Sequence, residues 1–181
     1  MHLEEKFPYG TNKDLGFNIL HLPYKGEELS MMIMLPSDVS GLDALERQLS
    51  TEVLQNAIRD TETTEVYAAL PKFMIEKSLE LKPRLQRMGI NDQFSKGADL
   101  SGVTTDVPLY VSEVFHRTFI EVNEEGTEAA AAAAFVGYGA SEPTYFKADH
   151  PFLFGIFDCR TNIFLFWGKI ANPASIDRAN L

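Results

Sequence analysis

The chain has 181 residues, a length that suits one domain at ~150 residues per domain. Hydrophobic residues make up 45% and charged residues 23%, ordinary globular usage that argues against wholesale disorder. Sixteen Lys and Arg against 26 Asp and Glu leave a net charge of -10, the wrong sign for a nucleic-acid footprint or an anionic membrane surface. No apolar run is long enough to span a bilayer. The single cysteine, Cys159, excludes an internal disulfide framework and any multi-cysteine metal site.

Met1–Lys6 has no basic stretch followed by an apolar core, so it does not read as a signal peptide. Either the protein is cytosolic or its N-terminus lies upstream. Residues 15–36 read as two or three strands broken by a turn at Lys25-Gly26-Glu27. The continuous apolar run Ser30–Leu35 suits a strand buried on both faces. Leu42, Leu45 and Leu49, then Val53, Leu54, Ala57 and Ile58, have helical spacing. Ser50 ahead of Glu52 and Val53 predicts a capped restart between two short helices. Residues 65–81 have strand character, with Val66, Ala68 and Leu70 alternating against Tyr67 and Ala69. Lys82–Gly89 predicts a short helix closed by Gly89. Leu109–Val122 reads as a long alternating strand. Phe152–Phe157 and Ile163–Ile170 read as two more, joined by a turn around Asp158–Asn162. The class is mixed, with more strand than helix and mostly antiparallel neighbours.

One stretch breaks this pattern. Gly126 to Ser141 reads GTEAAAAAAFVGYGAS, with only Glu128 charged. Its six consecutive alanines have high helix propensity, yet they are too few for an isolated helix, and glycines at 126, 137 and 139 frame them. Alanine loses almost no side-chain entropy on ordering, so such a segment changes conformation cheaply. A flexible surface loop or linker is the plain reading. It does not explain why strong strand signals, rather than polar linker sequence, stand on both sides.

No catalytic constellation accompanies it. The serine-elbow, phosphate-loop, zinc-helix and dinucleotide motifs are all missing, so an enzyme is not expected. His2, His21, His116 and His150 share no metal-ligand spacing, and neither a metal nor a cofactor is expected. His116 reads as structural, and Cys159 as an ordinary small residue in a turn.

The order of motifs resembles the serpins, the serine-protease inhibitors. Glu124-Glu125-Gly126-Thr127-Glu128-Ala129-Ala130 is similar to the hinge of their reactive-centre loop. Phe146-Lys147-Ala148-Asp149-His150-Pro151-Phe152-Leu153-Phe154 is similar to the signature that follows it. Ala69–Phe73, Asp99–Val103 with Leu109, and Phe166–Ile170 with Asn172-Pro173 fall in the expected order, so the resemblance covers residues 7–173. It implies an α+β fold of largely antiparallel sheets with short helices. Residues 1–181 would be the C-terminal part of one serpin domain with an incomplete main sheet, and residues 124–145 its reactive-centre loop and hinge.

The function implied is suicide inhibition: a serine protease cleaves the loop, forms an acyl-enzyme, and is trapped as the freed hinge inserts into the main sheet. Small residues at Gly126, Thr127, Ala129, Ala130, Ala131, Ala132, Ala133 and Ala134 would ease that insertion. Counting the family's usual loop lengths from Gly126 and from Pro151 places the reactive bond at Ala140-Ser141, which suits an elastase-like pocket. Phe135 and Tyr138 are alternative sites that would suit a chymotrypsin-like target. Glu124 matches the family acid that pairs with a lysine on the adjacent strand, here Lys72; as a surface pair it would be worth ~0–1 kcal/mol.

A serpin domain is roughly twice this length. These residues alone are therefore expected not to trap a protease, although the whole parent protein should, as a covalent complex. The apolar runs at 30–35 and 152–157 are expected to lose partners, exposing apolar surface. Secretion is the expected location, with the cytosol as the alternative. A non-inhibitory serpin-fold carrier or binding protein and an inactive truncated fragment remain the competing functional readings.

Overall fold

The computed structural model describes residues 1–123 and 143–173. They divide into two compact units, one running from Met1 to Phe73 and resuming at Val122, the other Met74–Glu121. The architecture is mixed and strand-dominated, the α+β class expected.

The first unit is built on a seven-stranded sheet. Its strands are β1 (His2–Asn12), β2 (Phe17–Pro23), β3 (Leu29–Pro36), β4 (Glu62–Ala69), β7 (Thr144–Lys147), β8 (Phe152–Asp158) and β9 (Ile163–Ile170). They lie in the order β7-β4-β1-β2-β3-β8-β9. Every pairing is antiparallel except β4 with β7, which is parallel. Two helices, α1 (Leu42–Gln48) and α2 (Thr51–Arg59), belong to the same unit. Their Leu42, Leu45 and Ala57 pack with Phe17 and Ile19 of β2, Met32 and Met34 of β3, and Leu153 and Phe157 of β8. Phe73 packs against Phe152 and Phe154, on the alternate residues of β8, with ring centroids 6.2 and 5.4 Å away. This explains why the runs in β3 and β8 are continuously apolar: both faces of these central strands are covered. The predicted capped restart is present, with Ser50 Oγ accepting the Val53 N–H at 3.2 Å.

The second unit holds most of a two-stranded sheet, β5 (Phe73–Glu80) with β6 (Phe115–Val122), and helix α3 (Lys82–Arg87). Gly89, at φ 91°, closes α3 as expected. The Gly89 N–H bonds the Gln86 carbonyl and the Ile90 N–H the Leu85 carbonyl, a Schellman arrangement that a left-handed residue makes possible.

Four expectations need correction. The strand expected over 65–81 is two strands in different sheets, interrupted at Leu70-Pro71-Lys72; Pro71 has no N–H, and the Leu70 N–H bonds Met1. The strand expected over 109–122 begins only at Phe115. Val111 spends its N–H on Gln93, and Val114 its carbonyl on Leu81, so both are satisfied outside a ladder. β1 and β7 were not expected as strands. In β1 only Leu3 and Phe7 are buried, and the acidic pair between them, with Pro8, hides the alternation. Finally, the runs 30–35 and 152–157 do not lose their partners. β3 lies between β2 and β8 and both runs are buried, so the exposed apolar side chains fall elsewhere, at Ile163, Leu165 and Trp167 of β9 and Phe115 and Phe119 of β6.

Candidate functional site

The hinge residues Glu124, Gly126, Thr127, Glu128 and Ala129–Ala134, the alternative sites Phe135 and Tyr138, and the bond Ala140-Ser141 all lie outside the described residues. What the structure describes is the strand on each side of them. On the N-terminal side, β6 ends at Val122. It pairs with β5, and among the described residues no strand covers its other edge. Lys72, the residue expected to face Glu124, is exposed in the link between β4 and β5.

On the C-terminal side, the chain is pinned firmly as soon as it enters β7. Thr144 to Lys147 pair in parallel with Val66 to Ala69, and the Ala148 N–H extends the ladder to the Ala69 carbonyl at 2.9 Å. The Phe146–Phe154 motif supplies the anchors. Phe146 and Ala148 are buried, Phe146 standing edge-on to Tyr9, while Lys147 and Asp149 point outward and pair at 3.0 Å. Phe152, Leu153 and Phe154 are central core residues.

His150 fixes the turn between β7 and β8. Its Nδ1 lies 2.9 Å from Asp149 Oδ1 and its Nε2 2.7 Å from the Pro36 carbonyl oxygen. The ring thus bridges the Asp149 carboxylate and the Pro36 carbonyl oxygen. The His150 hydrogen bond, followed by that of Lys147, holds the Asp149 carboxyl below the usual carboxylate range. The segment after the candidate loop is thus tied to β4 by a ladder and to the end of β3 through His150. Sequence reasoning grouped His150 with the motif but assigned it no partner. Its tie to Pro36 spans 114 positions, beyond the reach of any local pattern.

The remaining candidates do not assemble into chemistry. His116 is exposed and meets the Thr118 hydroxyl at 3.0 Å. Cys159 is exposed, but partial burial and then the Asp158 carboxylate push its thiol up, leaving little thiolate at neutral pH. Among the described residues no group of three or more His, Cys, Asp or Glu could hold a metal ion. Nor is any helix among them long and apolar enough to cross a membrane.

Comparison with known proteins accounts for this layout. The family model "Serpin (serine protease inhibitor)" matches residues 1–173. Human Serpin B3 is 42% identical over 172 residues, covering 92% of this chain and 44% of that protein. Leukocyte elastase inhibitors are similar as well. The Xenopus laevis protein is 44% identical over 179 residues and the Bos taurus protein 41% over 181, each match covering 96% of this chain and 48% of the relative. Among solved structures, uncleaved ovalbumin superposes with a TM-score of 0.76 at 33% identity, over 93% of this chain and 43% of that one. The chain spans about half the length of the curated relatives it matches. The names of these relatives give the expectation of secretion no support. With the family model spanning residues 1–173 and relatives 42% and 44% identical over nearly all of the chain, the chain belongs to the serpins.

Proposed function

We propose that residues 124–145 are the reactive-centre loop of a serine-protease inhibitor and that the protease attacks Ala140-Ser141. The observation that carries this reading is the hinge composition: between Gly126 and Ala134 every residue but Glu128 is Gly, Thr or Ala. Small side chains let a segment pass from solvent into a sheet without overpacking its neighbours. In the first step the protease serine oxygen bonds to the carbonyl carbon of Ala140. The Ala140–Ser141 peptide bond breaks, and the Ser141 nitrogen leaves carrying a proton. The hinge then inserts beside β6, whose far edge has no strand partner among the described residues. The anchoring of β7 supports the reading, because the C-terminal side of the cleaved loop must stay behind while the hinge travels.

Ala140 fits a shallow, elastase-like primary pocket, and relatives named leukocyte elastase inhibitor agree with that preference. Cleavage after Phe135 or Tyr138 would instead direct the loop at a chymotrypsin-like enzyme. Glu124 and Lys72 are proposed to pair beside the hinge, a surface interaction worth ~0–1 kcal/mol. The test is incubation of a full-length serpin carrying these residues with elastase and with chymotrypsin, followed by a denaturing gel and sequencing of the released C-terminal peptide. A denaturation-resistant complex and a new N-terminus at Ser141 are expected. Cleavage without a complex in a full-length serpin carrying these residues would favour a non-inhibitory role.

A further inference from the structure

Beyond the loop itself, one face of the sheet carries a row of side chains, two of them aromatic, that lies outside the buried core. Glu4 on β1, Tyr67 on β4 and Tyr145 on β7 are register partners and so stand side by side across three strands. The two tyrosine rings stack with centroids 5.5 Å apart and planes 35° from parallel. Tyr145 is 71% exposed, whereas its neighbour Phe146, on the opposite face of the same edge strand, is 1% exposed and serves the core. The Glu4 carboxylate stands beside Tyr67 and, through a hydrogen bond first, raises its phenol above the ordinary value. The row is therefore stiffened by register and stacking before any partner arrives.

Its position dictates what meets it. Tyr145 is four residues beyond Ser141, so its backbone lies within ~14 Å of the proposed reactive bond even with the chain fully extended. A partner that buries ~800 Å² per side covers a patch of radius ~16 Å, so a protease seated on Ala140-Ser141 has the row within its footprint. Stacked tyrosine faces ending in a carboxylate suit a guanidinium or ammonium group, and a chain of net charge -10 favours a basic partner surface. We infer that Tyr145, Tyr67 and Glu4 form a second contact for the target protease. They would engage a basic patch on the primed side of its cleft and set which protease associates quickly. The inference rests on the reading of Ala140-Ser141 as the bond attacked.

The test uses a full-length serpin carrying these residues, with Tyr145→Ala, Tyr145→Phe and Glu4→Gln variants. The probes are elastase and chymotrypsin, active and with their nucleophilic serine replaced by alanine. With active enzyme, Tyr145→Ala should lower the second-order rate of inhibition about fivefold or more, with stoichiometry and melting temperature unchanged. Tyr145→Phe, which keeps the stack, should stay near wild type. Glu4→Gln should flatten the salt dependence of the rate. With inert enzyme, Tyr145→Ala should raise the Kd by a similar factor. That readout requires no covalent trapping, so it separates failure of this contact from failure of the inhibitory reading. Rates and inert-enzyme Kd values within twofold of wild type for Tyr145→Ala would overturn the inference.

Discussion

Acidification should destabilise the first unit through a single buried histidine. His21 lies on β2 with 4% of its surface exposed, its ring edge-on to Phe157 at 5.5 Å. Its Nε2, like the neighbouring buried Ser30 Oγ, has no hydrogen-bond partner among the described residues. Burial lowers its pKa from 6.5 to about 4, because a charged imidazolium here would be cut off from water. The unfolded chain takes up this proton near pH 6.5, whereas the folded chain resists until about pH 4. The folded state therefore keeps its full stability above pH 6.5, loses it progressively as pH falls, and reaches a floor below about pH 4. The shift corresponds to about 3 kcal/mol across that window. At typical urea slopes, the denaturation midpoint should fall by on the order of 1–3 M between pH 7 and pH 4. Trp167, the only tryptophan, lies on β9 of the same unit and reports its unfolding by fluorescence. His21→Phe should remove the dependence in this window at little cost at pH 7, since it deletes a buried unpaired nitrogen while keeping the ring contact. Parallel midpoint-versus-pH curves for wild type and His21→Phe would refute the argument.

Other outcomes follow from the packing and the hinge. A Cβ on Gly168 would lie 2.7 Å from Phe154 Cζ, and one on Gly155 2.7 Å from Phe164 Cε1. Gly168→Ala and Gly155→Ala should each destabilise the first unit by about 1–3 kcal/mol in urea melts. Ser50→Ala removes the cap on α2 and should cost ~1 kcal/mol in the same assay. Ala132→Arg places a long charged side chain in the proposed hinge. In a full-length serpin carrying these residues, it should turn the inhibitor into a substrate, read as cleaved product replacing complex on a denaturing gel.

The sequence was most legible where local rules and burial agreed. The run 30–35 is apolar because β3 is covered on both faces, Ser50 is a cap because its hydroxyl meets an orphan N–H, and Gly89 closes α3 because it can adopt positive φ. It was least legible at edges and in irregular chain. β1 carries Glu4-Glu5-Lys6 on a face the core never sees, and β7 is only four residues long and exists through its parallel register with β4. Leu109–Val114 has strand-like alternation, but its polar backbone is satisfied by Gln93 and Leu81, which no local pattern reveals. For the candidate site, the buried anchors of the Phe146–Phe154 motif could be read directly. The tie from His150 to Pro36 and the row Glu4-Tyr67-Tyr145 could not, because each joins positions far apart in the chain.

The central claim is that this chain carries a loop built for cleavage and insertion. It is tested most directly by comparing two proteins with elastase and chymotrypsin on denaturing gels: residues 1–181 alone, and the same residues preceded by the N-terminal half of a curated relative such as human leukocyte elastase inhibitor. Simple cleavage of the first is expected, with a new N-terminus at Ser141, and a denaturation-resistant complex with the second. A second protein that folds cooperatively, is cut at Ala140-Ser141 and yet releases every protease molecule would contradict it.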